Sequence, residues 1–314
     1  MPQMSSPVSQ LFRLMRPRQW LKNGFVLVGL LFGHAWTDPA RLMQALLAFA
    51  AFCLLSSAVY VMNDLVDREQ DRLHPHKRRR PLASGAVGVP TALGLMLGCC
   101  VGGFALVLLS DSRAPWLFVL YVALNVAYTL RLKHVVILDV FIIAAGFMLR
   151  ILVGTLGIGI APSQWLLLCG LMLTLFLGFA KRRAELQTLG FSATPGIYRE
   201  KGESGEGDAA SHRRVLEHYS PALLDQMMTV ATAGTIVSYS LYTVSAETLA
   251  LHGTTNLIYT VPFVMYGMFR YLYLLHRRGG GGDPAQQVLG DPHLLAALTG
   301  WLLLVLAILG KALN

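Results

Sequence analysis

The chain has 314 residues, of which 54% are hydrophobic and 14% charged, and its formal net charge is +9. With a mean hydropathy of +0.54, these values lie outside the range of ordinary soluble globular proteins. They predict a polytopic membrane protein, and nothing in the pattern indicates a nucleic-acid partner.

Nine apolar segments follow along the chain, and most are near the roughly 20 residues that a helix needs to cross a bilayer. They cover residues 21–36, 42–63, 89–110, 114–130, 136–160, 164–180, 221–246, 256–275 and 293–311. The first and the fourth are short. We therefore expect an all-α fold, with nine transmembrane helices in a single domain, 1–314.

The N-terminus leads into the first segment with the stretch RPRQWLKN, residues 16–23. Trp20 between basic residues is typical of an anchor at the membrane interface. Lys22 and Asn23 lie at the mouth of the first segment, so they are the candidates here for substrate binding.

The second segment runs into NDLVDREQDRLHPHKRRRPLASG, residues 63–85. Asp64, Asp67 and Asp71 are spaced i, i+3 and i+7, so on a helix they share one face. Like charges on one face repel unless a cation lies between them, and Mg²⁺ prefers carboxylate and phosphate oxygens. We expect these aspartates to bind magnesium. The alternative is a solvated helix end in which they pair with neighbouring basic residues.

The basic part of this stretch, HPHKRRRP, suits phosphate recognition, because lysine and arginine bind phosphate oxygens. Lys77 and Arg80 are the candidates for a polyanionic substrate. For Arg78 and Arg79, anchoring to anionic lipid headgroups is the alternative.

A second polar group, YTLRLKHVVILD, begins at Tyr128 and includes Lys133. Asp139 lies just inside the fifth segment, and Arg150 lies deeper in it. An ionisable residue in an apolar helix indicates a functional site. A structural pair between these two residues is the alternative, but three helical turns separate them by about 16 Å.

Basic residues set the expected orientation, because cytoplasmic connections are enriched in lysine and arginine. With nine spans, most of the 26 lysines and arginines fall on the side of the N-terminus. The N-terminus is then cytoplasmic and the C-terminus external, in a plasma membrane. The connections 66–88 and 181–220 become cytoplasmic loops over the active site, the second beginning with Lys181.

The chain resembles the UbiA-type superfamily of intramembrane prenyltransferases, whose first motif, N-D-x-x-D-x-x-x-D, is met by Asn63, Asp64, Asp67 and Asp71. This resemblance implies nine helices around a central cavity that opens to the cytoplasm. The second motif of most members, D-x-x-x-D between the sixth and seventh helices, is missing.

The stretches RPRQWLKN, NDLVDREQDRLHPHKRRRPLASG, LKHVVILDVFIIAAGFMLR and YSPALLDQM are similar, in this order, to the decaprenyl-phosphate phosphoribosyltransferase branch. That branch transfers 5-phosphoribose from phosphoribosyl diphosphate (PRPP) to a polyprenyl phosphate, on the way to a lipid-linked arabinofuranose donor. The resemblance implies Mg²⁺ as cofactor, with PRPP, the lipid phosphate and the bilayer as partners. The oligomeric state stays open.

The residue patterns and the resemblance together give the candidate site residues. Catalytic roles fall to Asp64, Asp67, Asp71 and Asp139, the first three through magnesium. Substrate binding falls to Lys22, Asn23, Asn63, Lys77, Arg80, Tyr128, Lys133, Arg150 and Lys181.

Two other functions are consistent with parts of the pattern. An aromatic prenyltransferase of the same superfamily, acting on a quinone precursor or haem, would share the first motif but would also need the second one. A lipid transporter would use Asp139 and Arg150 as a coupling pair. The glycine-rich stretch VGTLGIGI, 153–160, has no counterpart elsewhere in the chain, which disfavours a transporter built from repeats.

Overall fold

The computed structural model describes residues 6–33, 35–73, 77–188, 216, 218–278 and 284–311. In these ranges all regular elements are helices, which confirms the all-α expectation. The α-helices are α1 (Pro7–Met15), α2 (Val28–Phe32), α3 (Pro39–Val66), α4 (Arg68–Leu73), α5 (Val89–Leu109), α6 (Trp116–Leu130), α7 (Leu138–Val153), α8 (Gln164–Thr188), α9 (Pro221–Val244), α10 (Ala246–His252), α11 (Val261–Arg278), α12 (Pro284–Gly290) and α13 (Pro292–Lys311). Short 3-10 helices occupy Pro17–Leu27, Ala35–Thr37, Lys77–Arg79, Leu132–His134, Leu156–Ile158 and Asn256–Thr260.

Five helical stretches in the described ranges are long and apolar enough to cross a membrane. They are Pro39–Val66, Val89–Leu109, Leu138–Ile158, Gln164–Gln187 and Pro292–Lys311. Each coincides with a predicted segment, and the apolar helix α6 is shorter. The chain is therefore a multi-pass membrane protein, and the full number of nine spans stays a prediction.

The first predicted segment, 21–36, is not one continuous α-helix. Its first part belongs to the 3-10 helix Pro17–Leu27, and α2 follows with five residues. A 3-10 stretch of 11 residues is unusual, because its hydrogen-bond geometry is poorer than that of an α-helix. This segment therefore depends on its neighbours for stability.

The chain divides into two compact units, and the first contains the residues up to Ile142 together with Leu149–Ile160. Here α3 packs along α5 and against α6. Phe52 and Phe118 are fully buried in the core, with ring centroids 4.8 Å apart.

Two glycines let backbones meet within this first unit. A Cβ on Gly29 of α2 would lie 1.7 Å from the carbonyl oxygen of Gly154, and a Cβ on Gly154 would lie 1.8 Å from that of Val26. Side chains at either position would collide with backbone, so both glycines are required for this close approach. The contact holds the broken first segment against the end of α7.

The second unit contains Ile143–Met148 and the described residues from 161 onward. In it α8 packs along α9, and α11 packs along α13.

Asp291 begins α13 by accepting hydrogen bonds from the backbone N–H groups of His293 and Leu294. Both oxygens of Asp291 also accept hydrogen bonds from Arg270, at 3.2 and 2.9 Å. This arginine and the helix N-terminus lower the pKa of Asp291 to about 2.

Candidate active site

The aspartate motif lies where α3 passes into α4. Asp64 is in the last turn of α3, and Asp67 ends that helix by donating its backbone N–H to the carbonyl oxygen of Asn63 at 2.9 Å. The backbone N–H of Asp71 then donates to the carbonyl oxygen of Asp67 at 2.8 Å. The helical path therefore continues almost unbroken through the motif, and Asp64 and Asp71 are both buried.

Arg80 joins the two buried aspartates. Its Nη1 lies 3.0 Å from Oδ1 of Asp64 and 2.6 Å from Oδ2 of Asp71. Asp64 is 2% exposed and Asp71 is 3% exposed, and carboxylates this deeply buried stay ionised only when they are paired. Arg80 is a predicted substrate residue, and the structure brings it directly to the aspartate motif.

Arg16 gives Asp64 a second cationic partner, at 2.5 Å between Nη2 and Oδ1. Its guanidinium also lies 5.2 Å from the ring centroid of Tyr60. The backbone of Arg16 has φ 56 and ψ 58, the left-handed conformation, in the turn after α1. A non-glycine residue pays about 1–2 kcal/mol for this conformation. The turn directs the arginine toward Asp64, and the sequence did not predict this residue as part of the site.

Lys133 and Asp67 connect the two polar groups that the sequence showed separately. Lys133 lies in the 3-10 helix Leu132–His134 that follows α6, and its Nζ is 2.6 Å from Oδ1 of Asp67. Lys133 is buried and Asp67 is half-buried. Each of the three aspartates thus has a basic partner within hydrogen-bond distance.

An open cleft of about 210 Å³ lies beside this charge cluster. Its lining consists of Arg13, Arg16, Asp64, Arg79, Arg80 and Pro81. Sequence reasoning placed Arg80 at a substrate, missed Arg13 and Arg16, and kept lipid headgroups as an alternative partner for Arg79. The spacing of Arg13 and Arg16, i and i+3 at the end of α1, was the available signal for a shared surface.

The three aspartates are the candidate ligands for magnesium. Their carboxylate oxygens are of the type that Mg²⁺ prefers. In the ranges that the structure describes, however, no three acidic, histidine or cysteine side chains gather closely enough to hold a metal ion. Arg80 lies between Asp64 and Asp71. The donor chemistry fits magnesium, and each of the three carboxylates also accepts hydrogen bonds from a basic side chain.

Two other predicted substrate residues, Asn23 and Arg150, come together in a buried cluster of the first unit. Arg150 donates from Nε to Oδ1 of Asn23 at 2.8 Å and from Nη2 to the hydroxyl of Tyr121 at 2.9 Å. Its guanidinium lies 4.7 Å from the Tyr121 ring centroid and 5.4 Å from that of Phe52. This cluster links the 3-10 helix Pro17–Leu27 to α3, α6 and α7, and a substrate role for its members stays a prediction.

The remaining predicted residues are spread over several elements. Asp139 is buried in the first turn of α7. The half-buried ones are Lys22, Asn63, Lys77, Tyr128 and Lys181, of which Lys181 belongs to α8 in the second unit. Of the predicted cytoplasmic loops, residues 74–76, 189–215 and 217 lie outside the described ranges.

Comparison with known proteins gives consistent results. A sequence model of the UbiA prenyltransferase family matches residues 24–287. The decaprenyl-phosphate phosphoribosyltransferase of Corynebacterium glutamicum is 31% identical over 299 residues, which cover 93% of this chain and 84% of that protein. The protein of the same name from Mycolicibacterium smegmatis is 30% identical over 306 residues, covering 94% and 91%.

The fold is likewise similar to a solved structure. A UbiA homologue from Archaeoglobus fulgidus bound to GPP and Mg²⁺ aligns with a TM-score of 0.67 at 18% identity. The alignment covers 97% of this chain and 98% of that one. At this identity the likeness concerns the fold.

Proposed function

The chain is a transferase that belongs to the UbiA prenyltransferase family, and from that membership we propose that it transfers 5-phosphoribose from PRPP to a polyprenyl phosphate, with release of diphosphate and dependence on Mg²⁺. The observation that carries the proposal is the group of four arginines around a cleft that also contains Asp64. A cleft with this lining suits a soluble substrate with several phosphates better than an apolar one.

The proposal includes the arrangement in the membrane. Nine transmembrane helices surround a central cavity that opens to the cytoplasm, with the N-terminus cytoplasmic and the C-terminus external. Residues 66–88 and 181–220 then form cytoplasmic loops over the site. The excess of basic residues on one side of the predicted spans supports this orientation.

Binding of the donor begins with an exchange of ionic partners. Arg16 and Arg80 hold the carboxylate of Asp64, and both arginines are only partly buried, at 26% and 27% exposure. A diphosphate in the cleft offers more oxygens than one carboxylate, so both guanidinium groups can transfer their hydrogen bonds to it. Lys133, which donates a hydrogen bond to Asp67, can transfer it to the diphosphate in the same way.

Asp64, Asp67 and Asp71 would hold the magnesium ion once the arginines bind phosphate. When bound there, the ion supplies neutralisation of the negative charge that develops on the departing diphosphate. The basic residues stabilise the same charge by donating hydrogen bonds, while C1 of the ribose acquires oxocarbenium character. An oxygen of the lipid phosphate attacks C1, and since this nucleophile is already an anion, the reaction needs no strong general base.

The donor pocket extends to the residues around the second polar group. We assign Tyr128, Lys133 and Asp139 to the lining of the donor pocket, and Lys22 and Lys77 to phosphate oxygens. Asn23 and Arg150 contribute through the cluster that they share with Tyr121.

A reconstituted assay tests the proposal. Purified protein receives radiolabelled PRPP and decaprenyl phosphate, with Mg²⁺ or with EDTA, and the organic phase is measured for labelled lipid. We expect label in the lipid only when both substrates and Mg²⁺ are present. The proposal is wrong if no label enters any polyprenyl phosphate while the same protein consumes a prenyl diphosphate with an aromatic acceptor.

A further inference from the structure

The four arginines of the cleft fall into two pairs with different surroundings. Arg16 and Arg80 both donate to Asp64, and Arg80 also donates to Asp71. Arg13 and Arg79 are exposed, and within the described ranges neither has a hydrogen bond or ion pair to an acidic side chain. Among the described residues, the second pair therefore lines the cleft without an acidic partner.

The charges at the cleft define which anion fits. The four guanidinium groups carry four positive charges, and the carboxylates of Asp64 and Asp71 carry two negative charges. The cleft therefore has an excess of two positive charges. A phosphate monoester carries about −1.5 to −2 charges near pH 7. Arginine forks bind such a group through paired hydrogen bonds. Arg13 on α1 and Arg79 on the 3-10 helix Lys77–Arg79 bring two such forks from separate segments.

We propose that Arg13 and Arg79 form a subsite for a phosphate monoester, separate from the Arg16, Arg80 and aspartate cluster that binds the diphosphate. The subsite rests on the proposed function for the identity of its ligand. Both substrates of that reaction carry such a group: the donor at C5 of its ribose, and the acceptor at the head of its lipid. Either source meets the same two guanidinium groups.

Direct binding measurements test the subsite without turnover. The full chain is purified into nanodiscs of phosphatidylcholine, so that no anionic lipid competes for the arginines. Two probes are titrated by microscale thermophoresis: ribose 5-phosphate, a soluble monoester, and geranyl phosphate, a short lipid monoester. Ribose and geraniol serve as the probes without phosphate.

The variants are Arg13→Gln and Arg79→Gln, each with a matched control nearby. Arg18→Gln and Arg78→Gln change exposed arginines of the same two regions that do not line the cleft. All four positions are exposed, so the variants should fold alike, which circular dichroism and gel filtration verify. Loss of one charged hydrogen-bond partner should weaken monoester binding by about tenfold in Arg13→Gln and Arg79→Gln. The controls should stay within about twofold.

Each outcome has a defined meaning. Weaker binding of ribose 5-phosphate alone assigns the subsite to the soluble donor, and weaker binding of geranyl phosphate alone assigns it to the lipid acceptor. The subsite is refuted if neither probe binds, or if both cleft variants bind both probes as well as their controls do. Refutation of the subsite leaves the proposed reaction intact when labelled lipid still forms. Conversely, if ribose 5-phosphate binds in an arginine-dependent way but PRPP is not turned over, the proposed reaction is wrong and the subsite is supported.

Discussion

Arg16 and Asp64 form an ion pair with 2.5 Å between Nη2 and Oδ1, although they are 48 positions apart in the sequence. The pair ties the turn after α1 to the last turn of α3. Arg16 is 26% exposed and Asp64 only 2%, so the acid is fixed by its helix while the base retains access to the cleft. An anion that enters the cleft can therefore attract the arginine, whereas the carboxylate stays in place.

Asp64 should be indispensable for turnover. In Asp64→Asn the amide keeps the shape of the side chain but removes the charge that both Arg16 and Arg80 contact. We expect transfer from PRPP to fall by about hundredfold or more, since the change removes both a proposed metal ligand and the partner of the two arginines. The initial rate at which label enters the lipid measures the loss of activity in this variant.

Glu69→Gln is the matched control for Asp64→Asn. Glu69 lies on α4, in the same stretch, and its ion pair at 3.0 Å is with Arg72 on the exposed face. This variant should keep its rate within about twofold, because exposed pairs contribute little. Wild-type activity in Asp64→Asn would show that the metal and the diphosphate bind elsewhere.

Lys133 and Asp67 should act as a coupled pair. Lys133→Gln and Asp67→Asn should each lower kcat/KM for PRPP by about tenfold or more. Because the two groups are in contact at 2.6 Å, the double variant should lose less than the sum of the two effects, with an interaction of at least about 0.5 kcal/mol. Arg131→Gln, an exposed base just before the same 3-10 helix, is the control. Strict additivity of the two losses would contradict the pairing.

The magnesium requirement should depend on the aspartates and not on the general charge of the loop. In Asp67→Asn we expect the Mg²⁺ concentration for half-maximal activity to rise by about tenfold to hundredfold. The same titration with Glu69→Gln should match the wild type. If both variants require equal Mg²⁺, the ion enters as a complex with the donor only and Asp67 is not a ligand.

The sequence was sufficient for the all-α class, for five long apolar helices and for the aspartate motif, because apolar length and residue spacing are local properties. It could not give the pairing of Lys133 with Asp67, which lie 66 positions apart. No periodicity reports a distance between two segments that meet only in the folded chain. The resemblance placed both residues in the site, and the structure supplies the contact between them.

Arg78 and Arg79 illustrate the same limit at shorter range. They are adjacent in the sequence and carry the same charge, so composition and topology treat them alike. The 3-10 helix Lys77–Arg79 turns only Arg79 into the lining of the cleft. The apolar pattern of 21–36 likewise gave no sign of the 3-10 helix, whose residue Val26 lies with its backbone against Gly154.

Gly154→Ala should destabilise the protein. The added methyl group would lie 1.8 Å from the carbonyl oxygen of Val26, and backbone cannot move aside as a flexible side chain can. Forcing such a group into a packed site costs about 1–3 kcal/mol or more. Thermal unfolding in detergent should show a lower midpoint.

The control is Gly98→Ala on α5, where an added Cβ would have no neighbour within 4 Å apart from its own helix backbone. This variant should be neutral or slightly stabilising, because alanine has a higher helix propensity than glycine. Equal midpoints for the two variants would contradict the close approach.

Asp291 should make the stability of the second unit depend on pH. Its pKa in the folded chain is lowered to about 2, below the value of about 3.9 for an aspartate in an unfolded chain. The folded state therefore binds this proton less readily, and the group stabilises the fold above about pH 4. That contribution is lost progressively as the pH falls from about 4 towards 2.

In Asp291→Asn this contribution is absent at every pH, so the unfolding midpoint of the variant should lie below that of the wild type at pH 6. The gap should narrow as the pH approaches 2. Thermal unfolding of both proteins across this range measures it, and a gap that stays constant with pH would show that the carboxylate does not stabilise the start of α13 through its charge.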